Sequence, residues 1–167
     1  MQVSKTTMTG SRMSSTSCCL ARSTTPDMWG SVIDCIEGAQ TIAISGHTNP
    51  DGDALGSALG LGLSLRENFP SKKIVFLLAD RAPVPRVYRF MVGSDMMVPA
   101  AEYHETPDLF ISVDCPTLGR LADSAVVAKR SRGRVVIDHH PSREEFGDAA
   151  VRVVNRSEER RVGKECS

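Results

Sequence analysis

The sequence predicts an α/β fold, a doubly wound and mainly parallel sheet with helices on both faces. Short runs of apolar and β-branched residues alternate with longer segments of helical periodicity. Several of these runs are apolar at successive positions, as expected for parallel strands that are covered on both sides. Acidic residues and histidines follow three of the runs, and such sheets bind ligands at the carboxyl ends of their strands.

Each element has its own signal along the chain. Apolar residues at helical spacing predict a helix over residues 27–39, and the β-branched run 41–45 predicts a strand. Asp53 is expected to cap a second helix, which ends near Asn68. The remaining predictions are a strand over 73–79, a short helix over 86–91, a strand over 109–113, a helix over 118–130 that ends before Gly133, a strand over 134–137 and a strand-like run over 151–154.

Composition excludes several classes of protein. The chain is 41% hydrophobic and 24% charged with zero formal net charge, which favours one globular domain and argues against general binding of duplex DNA. No apolar run reaches the roughly 18 residues that a membrane span needs. The five cysteines are irregularly spaced without a CxxC pair, so neither a disulfide framework nor a structural zinc site is predicted. We therefore expect a cytoplasmic protein.

Both ends of the sequence differ from the predicted domain. Residues 1–26 hold twelve Ser or Thr and no acidic residue, which predicts a disordered leader or a start codon assigned upstream of Met28; a transit peptide is the alternative. Residues 156–167 have no apolar periodicity and resemble a translated sequencing adapter, so we interpret them as an artefact tail rather than a charged helix. The domain is then residues 27–155, incomplete at its C-terminal side.

Three clusters of acidic residues and histidines follow strand-like runs. They are residues 47–53, Asp114, and Asp138 with the histidine pair at 139–140, and they contain three of the four histidines of the chain. Ligand sets of carboxylates and imidazoles suit Mn²⁺ or Mg²⁺ better than zinc or copper. Carboxylates this close together would repel one another without cations. The clusters therefore predict a site for a pair of divalent metal ions.

The predicted helix after Asp53 contains three interior glycines, Gly56, Gly60 and Gly62. Each costs about 1 kcal/mol of helix stability relative to alanine. We therefore expect the helix backbone to approach the sheet or a ligand closely, although a plain small-residue packing face would look the same.

The three clusters together resemble motifs of the DHH phosphoesterases. His47–Ser57, Ser112–Pro116 and Val136–Ser142 match three motifs of that family in order and spacing, over about residues 27–155. Among its branches the chain is most similar to the oligoribonuclease/pAp phosphatases, which degrade very short RNAs and 3′-phosphoadenosine 5′-phosphate (pAp). The resemblance implies an α/β DHH domain, two Mn²⁺ ions (with Mg²⁺ possible) and a short RNA or nucleotide substrate.

The resemblance also implies a role for each matching residue. The first Mn²⁺ would be bound by His47 and Asp51, the second by Asp53 and His139, and Asp114 would bridge the two ions. Asp138 would support a metal-binding histidine. His140 would face the scissile phosphate as a stabiliser or proton donor, and Asn49 and Ser57 would contact either the ligands or the phosphate.

Two departures from the family bear on activity. The family has a fourth motif, a further aspartate, and a separate C-terminal substrate-binding domain, and neither is recognised before residue 155. We therefore expect the 167-residue chain to be inactive or weakly active, although its parent is an enzyme, for which a homo-oligomer is possible. The alternatives are a family II inorganic pyrophosphatase, which shares the three motifs, and a non-catalytic metal- or phosphate-binding domain.

Overall fold

A computed structural model describes residues 28–140 and 146–152. In this part of the chain it contains three α-helices and six β-strands, linked in places by short 3₁₀ segments. The helices are α1 (Met28–Gly38), α2 (Gly52–Asn68) and α3 (Ser124–Arg130), and the strands are β1 (Thr41–Ser45), β2 (Lys73–Leu78), β3 (Met97–Pro99), β4 (Leu109–Val113), β5 (Gly133–Asp138) and β6 (Ala149–Arg152).

The strands form one sheet in the order β3-β2-β1-β4-β5-β6, and every neighbouring pair is parallel. Strands β2 and β3 are added in turn on one side of β1. The chain then crosses back, and β4, β5 and β6 are added in turn on the other side of β1. The connections therefore leave β1 and β4 in opposite directions, which opens a crevice at their carboxyl ends. This arrangement confirms the predicted doubly wound parallel sheet.

Buried side chains cover both faces of the sheet. Ile42 and Ile44 of β1 pack with residues of α1 and α2, whereas Ala43, which lies between them, packs with residues of α3. Alternate residues of a strand point to opposite faces, so β1 contributes to both halves of the core. The helices accordingly lie on both faces, as the apolar strands predict.

Most predicted strands match the structure closely, but β3 has no counterpart among the predictions. It has only three residues, and its proline would exclude it from the interior of a sheet. Pairing with β2, where Phe76 lies beside Met97, nevertheless places it at the sheet edge. An edge strand of this length leaves no periodic signal in the sequence.

The prediction of one helix over residues 118–130 is wrong. A 3₁₀ segment (Leu118–Leu121) and α3 are separated by Ala122, whose φ is +41°. The Arg120 carbonyl accepts a hydrogen bond from the Thr48 N–H at 2.8 Å, so this segment supports the loop after β1. Gly133 also begins β5 rather than closing a helix, and the helix predicted over 86–91 is a 3₁₀ segment over Arg86–Tyr88.

Among the α2 glycines, only Gly62 makes the expected close approach. A Cβ at this position would lie 2.1 Å from Cε1 of Phe76 and 3.1 Å from Cδ1 of Ile44, both on the sheet. At Gly56 and Gly60 an added Cβ would meet nothing within 4 Å. The requirement for glycine is therefore confined to one turn of α2.

Some predictions concern residues outside the described part of the chain. They are the leader (1–26), the tail (156–167) and the last two residues of the run predicted over 151–154, which begins in β6. In the described ranges, no helix is both long enough and apolar enough to cross a membrane.

Candidate metal centre

The three predicted clusters meet at the carboxyl ends of three adjacent strands. His47 follows β1, Asp114 follows β4, and Asp138 ends β5 directly before the two histidines. Because β1, β4 and β5 are neighbours in a parallel sheet, these side chains share one edge. They also lie beside the crevice between β1 and β4, where ligands bind in doubly wound sheets.

Asp51 is the N-cap of α2, and the prediction that Asp53 has this role is wrong. Oδ1 of Asp51 accepts hydrogen bonds from the backbone N–H groups of Asp53 and Ala54, both at 3.0 Å. Hydrogen bonding from Ala54, assisted by that from Asp53, lowers the pKa of the Asp51 carboxyl. Asp53 lies in the first turn instead. The cap therefore holds a carboxylate in its charged form beside His47.

Two substitutions separate the structural role of Asp51 from its charge. Asp51→Ser keeps a capping oxygen, whereas Asp51→Ala should lower the free energy of unfolding by about 1 kcal/mol through loss of the cap. Both variants should bind Mn²⁺ at least about tenfold more weakly. Removing a residue that only hydrogen-bonds to a metal ligand already costs about this much affinity, and removing a ligand should cost no less. Thermal denaturation and calorimetric titration with Mn²⁺ measure the two effects. Unchanged Mn²⁺ affinity in Asp51→Ser would exclude Asp51 as a ligand.

His47 is buried and has its ring oriented by the backbone. Its Nδ1 lies 2.7 Å from the Thr48 carbonyl oxygen, which only accepts hydrogen bonds, so Nδ1 carries the proton and Nε2 offers a lone pair. Nε2 lies 3.5 Å from Oδ2 of Asp114 and 3.9 Å from Oδ1 of Asp51. Electron-pair donors that face each other across this space fit a cation between them. Histidine ligands of metals commonly donate their other N–H to a carbonyl in this way.

Asp114 joins the two halves of the site. Its Oδ2 faces His47, while its Oδ1 lies 3.2 Å from Nε2 of His139 and 3.4 Å from Nδ1 of His140. The residue is buried with φ at +51°, and its N–H donates to the Ile137 carbonyl of β5. Burial raises the pKa of the carboxyl, and the negative charge of Asp53 adds to this effect. A cation beside Asp114 would offset both costs.

The donor atoms form two groups that share Asp114. In each group the ligand atoms lie within 4.8 Å of one another; the groups are His47, Asp51 and Asp114, and Asp114, His139 and His140. Asp53 adjoins the second group, with its Oδ2 3.5 Å from Nε2 of His139. The structure thus brings together all five residues that the sequence predicts as metal ligands.

The two adjacent histidines have different surroundings. Nδ1 of His140 lies 2.9 Å from Oδ1 of the buried Asp138, and the two histidine rings meet edge to face with centroids 4.4 Å apart. A carboxylate accepts only, so this Nδ1 carries a proton that it donates to Asp138. Nδ1 of His140 is thus engaged by Asp138, whereas Nε2 of His139 faces the carboxylates of Asp53 and Asp114.

Ser57 and Asn49, the other predicted residues, flank the centre. The Ser57 hydroxyl donates to Oδ1 of Asp53 at 3.2 Å and so orients a predicted ligand. Asn49 is exposed with φ at +49°, and its backbone N–H donates to Oδ2 of Asp80 at 2.6 Å. Sequence reasoning missed Asp80, although it follows β2 almost directly, as the clusters follow their strands. It ties the loop of His47 and Asp51 to the neighbouring strand.

Comparisons with known proteins bear on the family and the fold of the chain. The profile of the DHH family, N-terminal domain, matches residues 41–164. A probable bifunctional oligoribonuclease and PAP phosphatase, NrnA, from Streptococcus mutans is 30% identical over 113 residues, which are 68% of this chain and 34% of that protein. The chain thus spans about a third of the length of this curated relative.

A similar fold is found in a crystal structure of an exopolyphosphatase-related protein from Bacteroides fragilis. It superposes with a TM-score of 0.62 at 24% identity, over 75% of this chain and 38% of that one. This likeness bears on the fold alone.

Proposed function

Because the chain belongs to the DHH family, we propose that it is the metal-binding domain of a phosphoesterase that hydrolyses short oligoribonucleotides, dinucleotides and pAp. The family is metal-dependent, and the site offers the oxygen and imidazole donors that suit Mn²⁺ and Mg²⁺. The substrate class is inferred from the name of the NrnA relative.

The sharing of Asp114 between two donor groups supports a two-metal centre most directly. In this proposal His47 and Asp51 would hold one Mn²⁺, Asp53 and His139 would hold the other, and Asp114 would serve both. When bound, the two ions would lower the pKa of a water at the centre and neutralise charge on the phosphoryl oxygens.

The protein side chains have separate tasks in the reaction. His140 faces the phosphate and stabilises or protonates it, and its hydrogen bond to Asp138 keeps the ring in one orientation. Ser57 holds the carboxylate of Asp53, and Asp80 holds the loop that carries His47. Positioning by such contacts is the main contribution of a protein to phosphoryl transfer.

A substrate comparison tests the proposal. The purified chain is incubated with Mn²⁺ and, separately, pAp, an RNA dinucleotide or pyrophosphate, and product formation is followed by chromatography. We expect hydrolysis by the 167-residue chain to be weak at most; that of pAp and the dinucleotide should exceed that of pyrophosphate, stop when EDTA is added, and be absent in Asp114→Asn.

Two other outcomes favour the alternatives. Preferential hydrolysis of pyrophosphate would indicate an inorganic pyrophosphatase. Tight binding of Mn²⁺ without hydrolysis of any of the three compounds would favour a domain that binds metal but does not catalyse.

A further inference from the structure

A cleft beside the metal centre has no role in the chemistry described above. Its volume is about 500 Å³, and it opens where β2 and β3 end, with Leu78 and Pro99 in its walls. Clefts of roughly 300–1,000 Å³ are typical of sites for small ligands. Its size alone therefore admits a molecule as large as a nucleotide.

The cleft adjoins the metal centre. Leu78 and Met97 line the cleft and also line a small cavity beneath the loop of His47 and Pro50. Strands lie about 4.8 Å apart, so the end of β3 is roughly 10 Å across the sheet from the end of β1. The cleft and the loop of His47 therefore share wall residues and lie close together.

Two arginines line the cleft and are held in place. Nε of Arg89 donates to the Val84 carbonyl at 3.0 Å, and the Arg89 carbonyl accepts from the hydroxyl of buried Ser94 at 3.0 Å. Arg81 pairs with Asp123 at 2.9 Å. Within the described residues Arg89 forms no ion pair, so its guanidinium is not held by a carboxylate. An oriented guanidinium of this kind is well suited to a phosphate group.

The other walls suit a nucleoside. Leu78, Val84 and Met97 provide apolar surface, while the carboxylates of Asp95 and Glu102 can accept hydrogen bonds from sugar hydroxyls or base amino groups. The cleft thus combines an apolar wall, hydrogen-bond acceptors and an anchored cation.

We propose that this cleft binds the nucleoside phosphate unit of the substrate that does not react, with Arg89 contacting its phosphate. The proposal rests on the proposed function, since it assigns the cleft to the same substrate. It predicts that a nucleoside monophosphate binds the cleft without metal.

Calorimetric titration in EDTA at low ionic strength tests the cleft independently of the metal centre. Adenosine 5′-monophosphate (AMP) and adenosine are the probes, and thermal denaturation confirms that each variant is folded. We expect AMP to bind more tightly than adenosine, and Arg89→Ala to weaken AMP binding about tenfold while leaving adenosine binding unchanged.

The matched control is Arg86→Ala, which removes an equal charge from the same segment. Arg86 is exposed and lies outside the cleft lining. This variant should bind AMP as the unmodified chain does. If Arg89→Ala does not fold, Arg81→Ala takes its place, because Arg81 is exposed and its loss leaves the core intact; it should weaken AMP binding several-fold.

Three results would overturn the proposal: no AMP binding in EDTA, AMP binding no tighter than adenosine, or equal losses in the cleft variant and in Arg86→Ala. The metal centre is tested separately. AMP binding in EDTA by a chain that does not bind Mn²⁺ would support the cleft and contradict the proposed function, whereas Mn²⁺ binding without AMP binding would support the proposed function and contradict the cleft.

Discussion

Replacing Asp114 with Asn should abolish both halves of the metal centre in one step. We expect Mn²⁺ affinity to fall at least about a hundredfold, because Asp114 is the one residue shared by both donor groups and the neutral amide is a weaker ligand. Hydrolysis that depends on Mn²⁺ should be lost with it. Calorimetric titration measures the affinity and the number of ions bound.

Asparagine is the informative replacement because the backbone at residue 114 is left-handed, with φ at +51°. Asn adopts this conformation more readily than most residues, whereas Ala at the same position would add strain to the loss of charge. Asp114→Ala therefore serves as the comparison, because it shows how much stability is lost to backbone strain at this position.

The metal-free variant should be at least as stable as the metal-free parent at neutral pH. Burial raises the pKa of Asp114, so in the parent this carboxyl favours the fold most at low pH and progressively less as the pH rises through its folded-state pKa. Asn does not titrate and avoids this penalty. A metal-free melting temperature well below that of the parent, or two ions still bound by the variant, would contradict the proposed role of Asp114.

Substituting alanine for Gly62 should have the largest effect on stability. The new Cβ would lie 2.1 Å from Cε1 of Phe76, a fully buried ring that cannot move away freely because Ile44 also packs there. Overpacking of this kind costs about 1–3 kcal/mol, and alanine in a helix gains roughly 1 kcal/mol over glycine, so we expect a net loss of up to about 2 kcal/mol. Chemical denaturation of the metal-free chain measures the loss.

Gly60→Ala is the matched control in the same helix. An added Cβ at Gly60 meets nothing within 4 Å, so the substitution should leave stability unchanged or raise it by up to about 1 kcal/mol. If both variants are equally stable, α2 does not depend on close contact with the sheet at Gly62.

Local sequence pattern was sufficient for much of the sheet and for the composition of the site. β1 and β4 match their predicted ranges residue for residue, because a buried parallel strand is recognisable from its own apolar run. The ligand clusters were recognisable for a related reason, since each follows such a run. Convergence at one edge then followed from parallel strand direction.

The errors arose where contacts distant in sequence decide the conformation. Ala122 interrupts a helical pattern beside a segment whose Arg120 carbonyl is bonded to Thr48, which no local window reveals. Asp51 and Asp53 are equally plausible caps by residue type, and only the geometry of the turn distinguishes them. Asp80 acts through its hydrogen bond to Asn49, which is far away in the sequence.

The parallel pairing of β1 with β4 also has a kinetic consequence. Ile42 lies beside Leu109, and β5 must dock on β4 before His139 and Asp114 can meet. Contacts between residues so distant in sequence form late, because closure of the intervening loop must come first. A metal ion whose ligands come from all three strand ends therefore binds after the slow step of folding. Bound manganese would protect the finished fold against unfolding rather than guide the chain towards it.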